Sequence, residues 1–152
     1  MKSMKISAFI LVAFTMAFCG CTNVSVRPLL VEDRIQKVVI QENSTAEDSK
    51  FLAILVAGFK RHGIATEVVS DATNVKDAYV VTYVAYSTWD FGRYLSDAAI
   101  IITKDGRKVA QALYHLKGGG GFAPAKWDNA QSKIDPLIDE LLKDYPQTQK
   151  SD

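Results

Sequence analysis

From residue 35 onward the chain switches between two hydrophobic periods, and the order of the switches predicts a fold. Residues 35–41 alternate weakly between apolar and polar and end at Glu42-Asn43, which reads as a short strand. Ser44-Thr45-Ala46-Glu47 then has the spacing of a capping box, in which a hydroxyl and a carboxylate satisfy free amides at a helix start. Phe51, Leu52, Leu55, Val56 and Phe59 recur at helical spacing and define one apolar face. His62-Gly63 closes that helix, because glycine accepts the left-handed conformation of a helix end and Ile64 is placed to pack back. Residues 64–69 form a second short strand, and strand, helix and strand in succession imply a parallel, right-handed crossover. After a polar connection over 70–77, the runs 78–89, 95–103 and 108–116 are rich in the β-branched and aromatic residues favoured on a pleated surface.

Asp105-Gly106, between the last two runs, is a hairpin signal, since both turn positions take positive φ. A two-residue turn there sets Ile102 opposite Val109, Ile100 opposite Gln111 and Asp97 opposite Tyr114, with Gln111 and Asp97 facing solvent. The last helix is expected over 127–145, where Trp127, Ala130, Ile134, Ile138, Leu141 and Tyr145 share a face. That face continues across Pro136, which removes one helix hydrogen bond and crowds the preceding turn. The expectation is therefore a kinked helix rather than one that starts at Asp135. The fold class is α/β: a two-layer sandwich with a mixed, mainly antiparallel sheet of about five strands and two helices, in the order β-α-β-β-β-β-α. The helices cover one sheet face and leave the other partly open. This single domain spans 35–145, and a polar tail follows over 146–152.

The N-terminus has a different pattern. Lys2 and Lys5 precede 13 residues, 6–18, without a charge. A membrane span needs about 20 apolar residues, so this stretch fits the hydrophobic part of a secretory signal peptide. Both cysteines follow at once, in Phe18-Cys19-Gly20-Cys21. A disulfide between them would close a very small, strained ring. The segment resembles the lipobox of bacterial lipoprotein precursors, in which a small residue, here Gly20, precedes the cysteine that becomes the lipidated N-terminus. Cys19 is not the equivalent residue, because Phe18 would stand at the small position. The resemblance implies removal of residues 1–20 and a diacylglyceryl thioether on Cys21, usually with an N-acyl group. Thr22 after it, rather than Asp, implies outer-membrane sorting in enteric-type bacteria, with the domain facing the periplasm. Residues 21–34 read as the lipidated N-terminus and a tether, interrupted by Pro28, of at most about 50 Å when extended. The body is similar in architecture to small envelope lipoproteins of accessory function.

Charge narrows the partners. The chain has 18 basic and 17 acidic residues, and loss of Lys2 and Lys5 leaves the mature form at −1. No basic excess points to nucleic acid, and no polybasic patch holds the protein to a membrane; acyl chains would do that. The cysteines aside, few residues recommend themselves for chemistry. His62 sits where a cation favours a helix C-terminus. Ser96, Asp97 and His115 have the residue types of a hydrolase triad, with His115 expected opposite Ser96, but no nucleophile-elbow sequence surrounds the serine. Gly118–Gly121 lacks the Lys-Ser/Thr of a phosphate loop and reads as a flexible connection with room to close over a ligand. Neither a metal nor a cofactor is expected. The most suggestive surface is the turn between residues 86 and 94. Trp89, Phe91, Arg93 and Tyr94 there have the composition of contact sites, or else fold back over the sheet. The expectation is a non-enzymatic envelope lipoprotein that binds another envelope protein. The alternatives are a periplasmic module for a small ligand, glycan or lipid, and a hydrolase.

Overall fold

The computed structural model describes residues 22–43, 46–89, 92–117 and 129–145. Six strands and two longer helices follow one another as β1 (Thr22–Arg27), a 3-10 turn (Val31–Asp33), β2 (Lys37–Gln41), α1 (Ala46–Arg61), β3 (Ala65–Val69), β4 (Tyr79–Trp89), β5 (Arg93–Lys104), β6 (Arg107–Leu116) and α2 (Ala130–Leu141). The strands form one mixed sheet in the spatial order β1-β6-β5-β4-β2-β3. β2 pairs in parallel with β3 and β4, and the remaining pairs are antiparallel. The α/β class and the order of elements agree with the sequence pattern, but the sheet has six strands, not about five. The additional strand is β1, in the stretch expected to be tether. Its six residues pair with β6 from Thr22↔Leu116 to Arg27↔Gln111.

Both helices lie on one face of the sheet. Val38, Ile40, Val81, Tyr83, Leu95, Ala98, Ile100, Ile102, Ala110, Ala112 and Tyr114 point into the core they share with Phe51, Leu55, Phe59, Ile134, Leu137, Ile138 and Leu141. The Phe51 and Tyr83 rings stack at 5.5 Å between centroids. The helices pack tightly at Gly58, where a Cβ would lie 2.6 Å from Cδ1 and 2.8 Å from Cγ2 of Ile138. α1 ends as expected: Gly63 takes φ 71° and its amide donates to the Lys60 carbonyl at 3.0 Å. The proposed cap at Ser44-Thr45 lies outside the described residues.

α2 is shorter than the 127–145 segment expected. Its cap is Asn129, whose side chain accepts from the Ser132 amide at 2.8 Å, and Pro136 sits inside the helix. Trp127 lies outside the described residues. Leu29 and Tyr145 bind the chain that follows β1 to the end of this helix. The Leu29 amide donates to the Leu141 carbonyl at 2.8 Å, and the Tyr145 hydroxyl donates to the Leu30 carbonyl at 2.9 Å.

The β5–β6 hairpin turns at Asp105-Gly106 with φ of 49° and 73°, as that dipeptide requires. The register differs from the expected one. Thr103 faces Lys108, but Ile102 faces Ala110, Ile100 faces Ala112 and Asp97 faces His115. A bulge between Ile102 and Thr103 adds one residue on β6 and moves every later partner by one.

Candidate functional site

The face of the sheet away from the helices carries no described element. Its side chains follow from the ladders, because alternate residues share a face. One row runs Thr82–Ile101–Gln111–Arg27, the next Val84–Ala99–Leu113–Ser25, and the third Tyr86–Asp97–His115–Asn23. The middle of this surface is apolar and wet: Val84 is 39% and Leu113 37% exposed, and Tyr86 beside them reaches 61%. A polar pair borders it. His115 Nδ1 and Asp97 Oδ1 are 2.5 Å apart across neighbouring strands, and both side chains are well exposed. The hydrogen bond from His115 holds the Asp97 carboxyl below the usual carboxylate range.

The triad types do not assemble as the sequence allowed. Asp97, not Ser96, stands opposite His115. Ser96 falls at an irregularity between Tyr86 and Ser87, and its hydroxyl donates to the Tyr86 carbonyl at 3.0 Å. The serine hydroxyl thus lies against a neighbouring-strand carbonyl and the Asp97 carboxyl, and the imidazole is bonded to Asp97 instead.

Beyond the Tyr86–Asp97 row the β4–β5 hairpin continues as Ser87↔Leu95, Thr88↔Tyr94 and Trp89↔Arg93. Alternation puts Ser87, Trp89, Arg93 and Leu95 on the helix side, and Thr88 and Tyr94 on the open side. Trp89 is 74% exposed, so its indole does not fold back over the sheet; Arg93 is exposed and Tyr94 half-buried. Phe91 lies outside the described residues, as do Cys21 and Gly118–Gly121. Thr22, bonded to Cys21, faces Leu116 one step beyond the Asn23–His115 pair. The first described residue of the chain and the aromatic hairpin therefore leave the sheet at the same end.

A pocket of ≈ 340 Å³ opens at the base of the hairpin, between α1, β4, β5 and the start of α2. Phe51, Ala85 and Leu95 make its apolar floor, and Lys50, Ser87 and Arg93 its polar rim. Among the described residues no group of three or more His, Cys, Asp or Glu side chains is placed to hold a metal ion. No helix among them is long and apolar enough to cross a membrane.

Sequence reasoning missed a buried ionisable residue. His62, expected only as a cation at a helix end, is 6% exposed and bridges α1 to the far end of α2. Nδ1 donates to the Tyr145 carbonyl at 2.6 Å, and Nε2 lies 3.0 Å from Asp139 Oδ1. Arg61 beside it reaches Asp135 and Asp139, each at 3.0 Å. Burial works against the charge on Asp139, but the hydrogen bonds from His62 and Arg61 outweigh it and hold this carboxyl low. This cluster fastens the two helices.

In sequence, no protein-family model matches the chain and no curated protein matches it. In structure, the chain is similar to PelC from Paraburkholderia phytofirmans, a dodecamer. A single-substitution form aligns over 85% of this chain and 99% of that one, with a TM-score of 0.56 and 15% identity. Another PelC dodecamer structure aligns over 83% and 99%, with a TM-score of 0.52 and 17% identity. A minor lipoprotein from Acinetobacter baumannii aligns over 73% and 89% with 16% identity, but its TM-score of 0.30 carries no weight. The PelC likeness establishes a shared fold.

Proposed function

We propose that this chain is a lipid-anchored protein of the bacterial envelope, held through Cys21 in the outer membrane and facing the periplasm, that acts by binding protein and not by catalysis. Its first partner is a further copy of the same chain. The observation that carries this reading is the sheet face that no described element covers, on which Val84, Ala99, Ile101 and Leu113 form an apolar centre with polar residues around it. Such a patch on a small domain marks an interaction surface. The dodecameric state of the PelC structures, which share the fold, favours self-association as its use. The lipobox-like Phe18-Cys19-Gly20-Cys21 supports the anchor.

The test pairs two variants expressed with the full chain. Cys21→Ala should abolish the acyl mass and shift the protein from the membrane to the soluble fraction. Val84→Asp with Leu113→Asp should leave lipidation and the circular dichroism spectrum intact and reduce the mass of the detergent-solubilised particle to that of one chain. A wild-type particle of one chain at all concentrations, with no cross-links between copies in the envelope, would refute the self-association reading.

The pocket at the hairpin base favours a second reading, a module for a small amphipathic anion, because Lys50 and Arg93 flank an apolar floor. Decanoate titrated into the protein should then perturb Phe51 and Leu95 in a heteronuclear NMR spectrum, and no shift at saturating decanoate would dismiss it.

A further inference from the structure

The exposed hairpin and the lipid attachment point share one end of the sheet, and their spacing can be worked out from the ladders. Thr22 pairs with Leu116, one step beyond the Asn23–His115–Asp97–Tyr86 row. Along β4, Trp89 stands three residues beyond Tyr86, so its backbone lies two steps past the level of Thr22, about 7 Å at the rise of a strand. Across the sheet, β1 is separated from β5 by one strand and from β4 by two. At the usual strand spacing the hairpin lies about 10–15 Å to the side of β1. Cys21 is one peptide step, about 3.8 Å, from Thr22.

We infer that the tip of the β4–β5 hairpin, with Trp89, Arg93 and Tyr94, is a second membrane contact that lies in the headgroup layer of the bilayer holding the Cys21 lipid. This inference rests on the lipid-anchored reading above. A lipid on Cys21 puts its glycerol at the boundary between headgroups and hydrocarbon, and Thr22 starts a paired strand at once, with no slack chain in between. The headgroup layer on one side of a bilayer is about 5–8 Å deep, which matches the 7 Å by which the tip passes Thr22. The side chains suit that layer. An indole 74% exposed to water gains by moving to an interface that accepts both its apolar body and its N–H. Tyr94 stands on the other face of the same ribbon, so both faces of the tip carry an aromatic residue. The guanidinium of Arg93 and the ammonium of Lys117, which is exposed just past Leu116, are the groups that meet lipid phosphates at this end. A protein partner at the tip would have to displace the bilayer next to its own anchor, so the aromatic hairpin and the open sheet face have different occupants.

The experiment imposes the tether chemically, so that its outcome does not depend on whether cells acylate the protein. The chain 21–152 contains every described element and a single cysteine, Cys21. Coupled through that thiol to a maleimide lipid, it is displayed on vesicles of phosphatidylethanolamine and phosphatidylglycerol, with Trp127→Phe leaving Trp89 as the one indole. Trp89 emission should shift to the blue on coupling, and a shallow doxyl label on the lipid should quench it about twofold more than a deep one, as expected for an interfacial indole. A Trp89→Phe chain that keeps Trp127 serves as the control for folding and for background quenching. Coupled protein with an unshifted, unquenched Trp89 would overturn the inference. So would an equal blue shift in vesicle-free solution at rising protein concentration, which would assign the tip to contacts between copies. Failure of the anchor itself would appear separately, as an unmodified mass for the protein purified from cells.

Discussion

His62→Phe is the sharpest test of how the two helices are fastened. The substitution keeps a planar ring of similar size in a site 6% exposed, and removes both ring nitrogens. The Tyr145 carbonyl, 2.6 Å from Nδ1, loses that donor at a buried position, and leaving a buried group short of its partner costs about 1–3 kcal/mol. Asp139 loses the bond at 3.0 Å but keeps Arg61, and its side chain is 38% exposed, so water replaces much of the loss. The first contribution dominates, and the sum is about 2 kcal/mol. For a domain of this size that corresponds to a Tm lower by about 8 °C. Thermal and urea unfolding of the chain 21–152 near neutral pH would measure it, with an unchanged urea slope as the sign that the unfolded state is unaffected. His62→Phe should also be non-additive with Asp139→Asn, because the two share a bond. A loss below about 0.5 kcal/mol, the ordinary scatter of surface substitutions, would refute the claim that this ring holds α1 to α2.

Other consequences are equally open to measurement. Gly58→Ala sets a Cβ against Ile138 and should cost about 1–3 kcal/mol by overpacking, recovered in part by Ile138→Val, as read by urea unfolding. Gly106→Ala meets no atom within 4 Å but must adopt φ 73°, so it should lose about 1 kcal/mol through backbone strain alone; Gly106→Asn should lose less. Asp97 titrates below its unfolded value because His115 bonds to its charged form, so the pair's contribution is present above the unfolded carboxylate pKa and fades as pH falls through the lower folded one. Both side chains are exposed, so Asp97→Asn should change stability by less than about 1 kcal/mol and flatten only the acid limb of the stability curve.

The parts of the fold that were legible in the sequence are those whose causes are local. The apolar face of α1, the left-handed Gly63 and the Asp105-Gly106 turn are each specified within a few residues, and each appears where its pattern placed it. The register of the β5–β6 hairpin was not legible. One extra residue at the bulge beside Thr103 leaves the alternation on either side intact while moving every partner beyond it. β1 escaped because it is an edge strand with almost every residue exposed, so no buried period marks it; only its ladder with β6, far away in sequence, defines it. His62 failed for the same reason, its partners being Asp139 and Tyr145. At the hairpin tip, composition nominated Trp89, Arg93 and Tyr94 but could not say which way a strand end points its side chains. The exposed indole answers that for Trp89.

The pairing of β1 has a mechanical meaning for an anchored protein. With Cys21 lipidated, any pull on the lipid enters the chain at Thr22, along the axis of a strand bonded over six residues to β6. That load acts in shear, on the whole ladder at once, instead of drawing out a slack leader or opening the bonds one by one. The same pairing would order events in an exported chain. Thr22 can meet Leu116 only after most of the chain has emerged, so β1 is among the last strands to find its place, and a lipid on Cys21, as proposed, would until then hold an unfinished sheet.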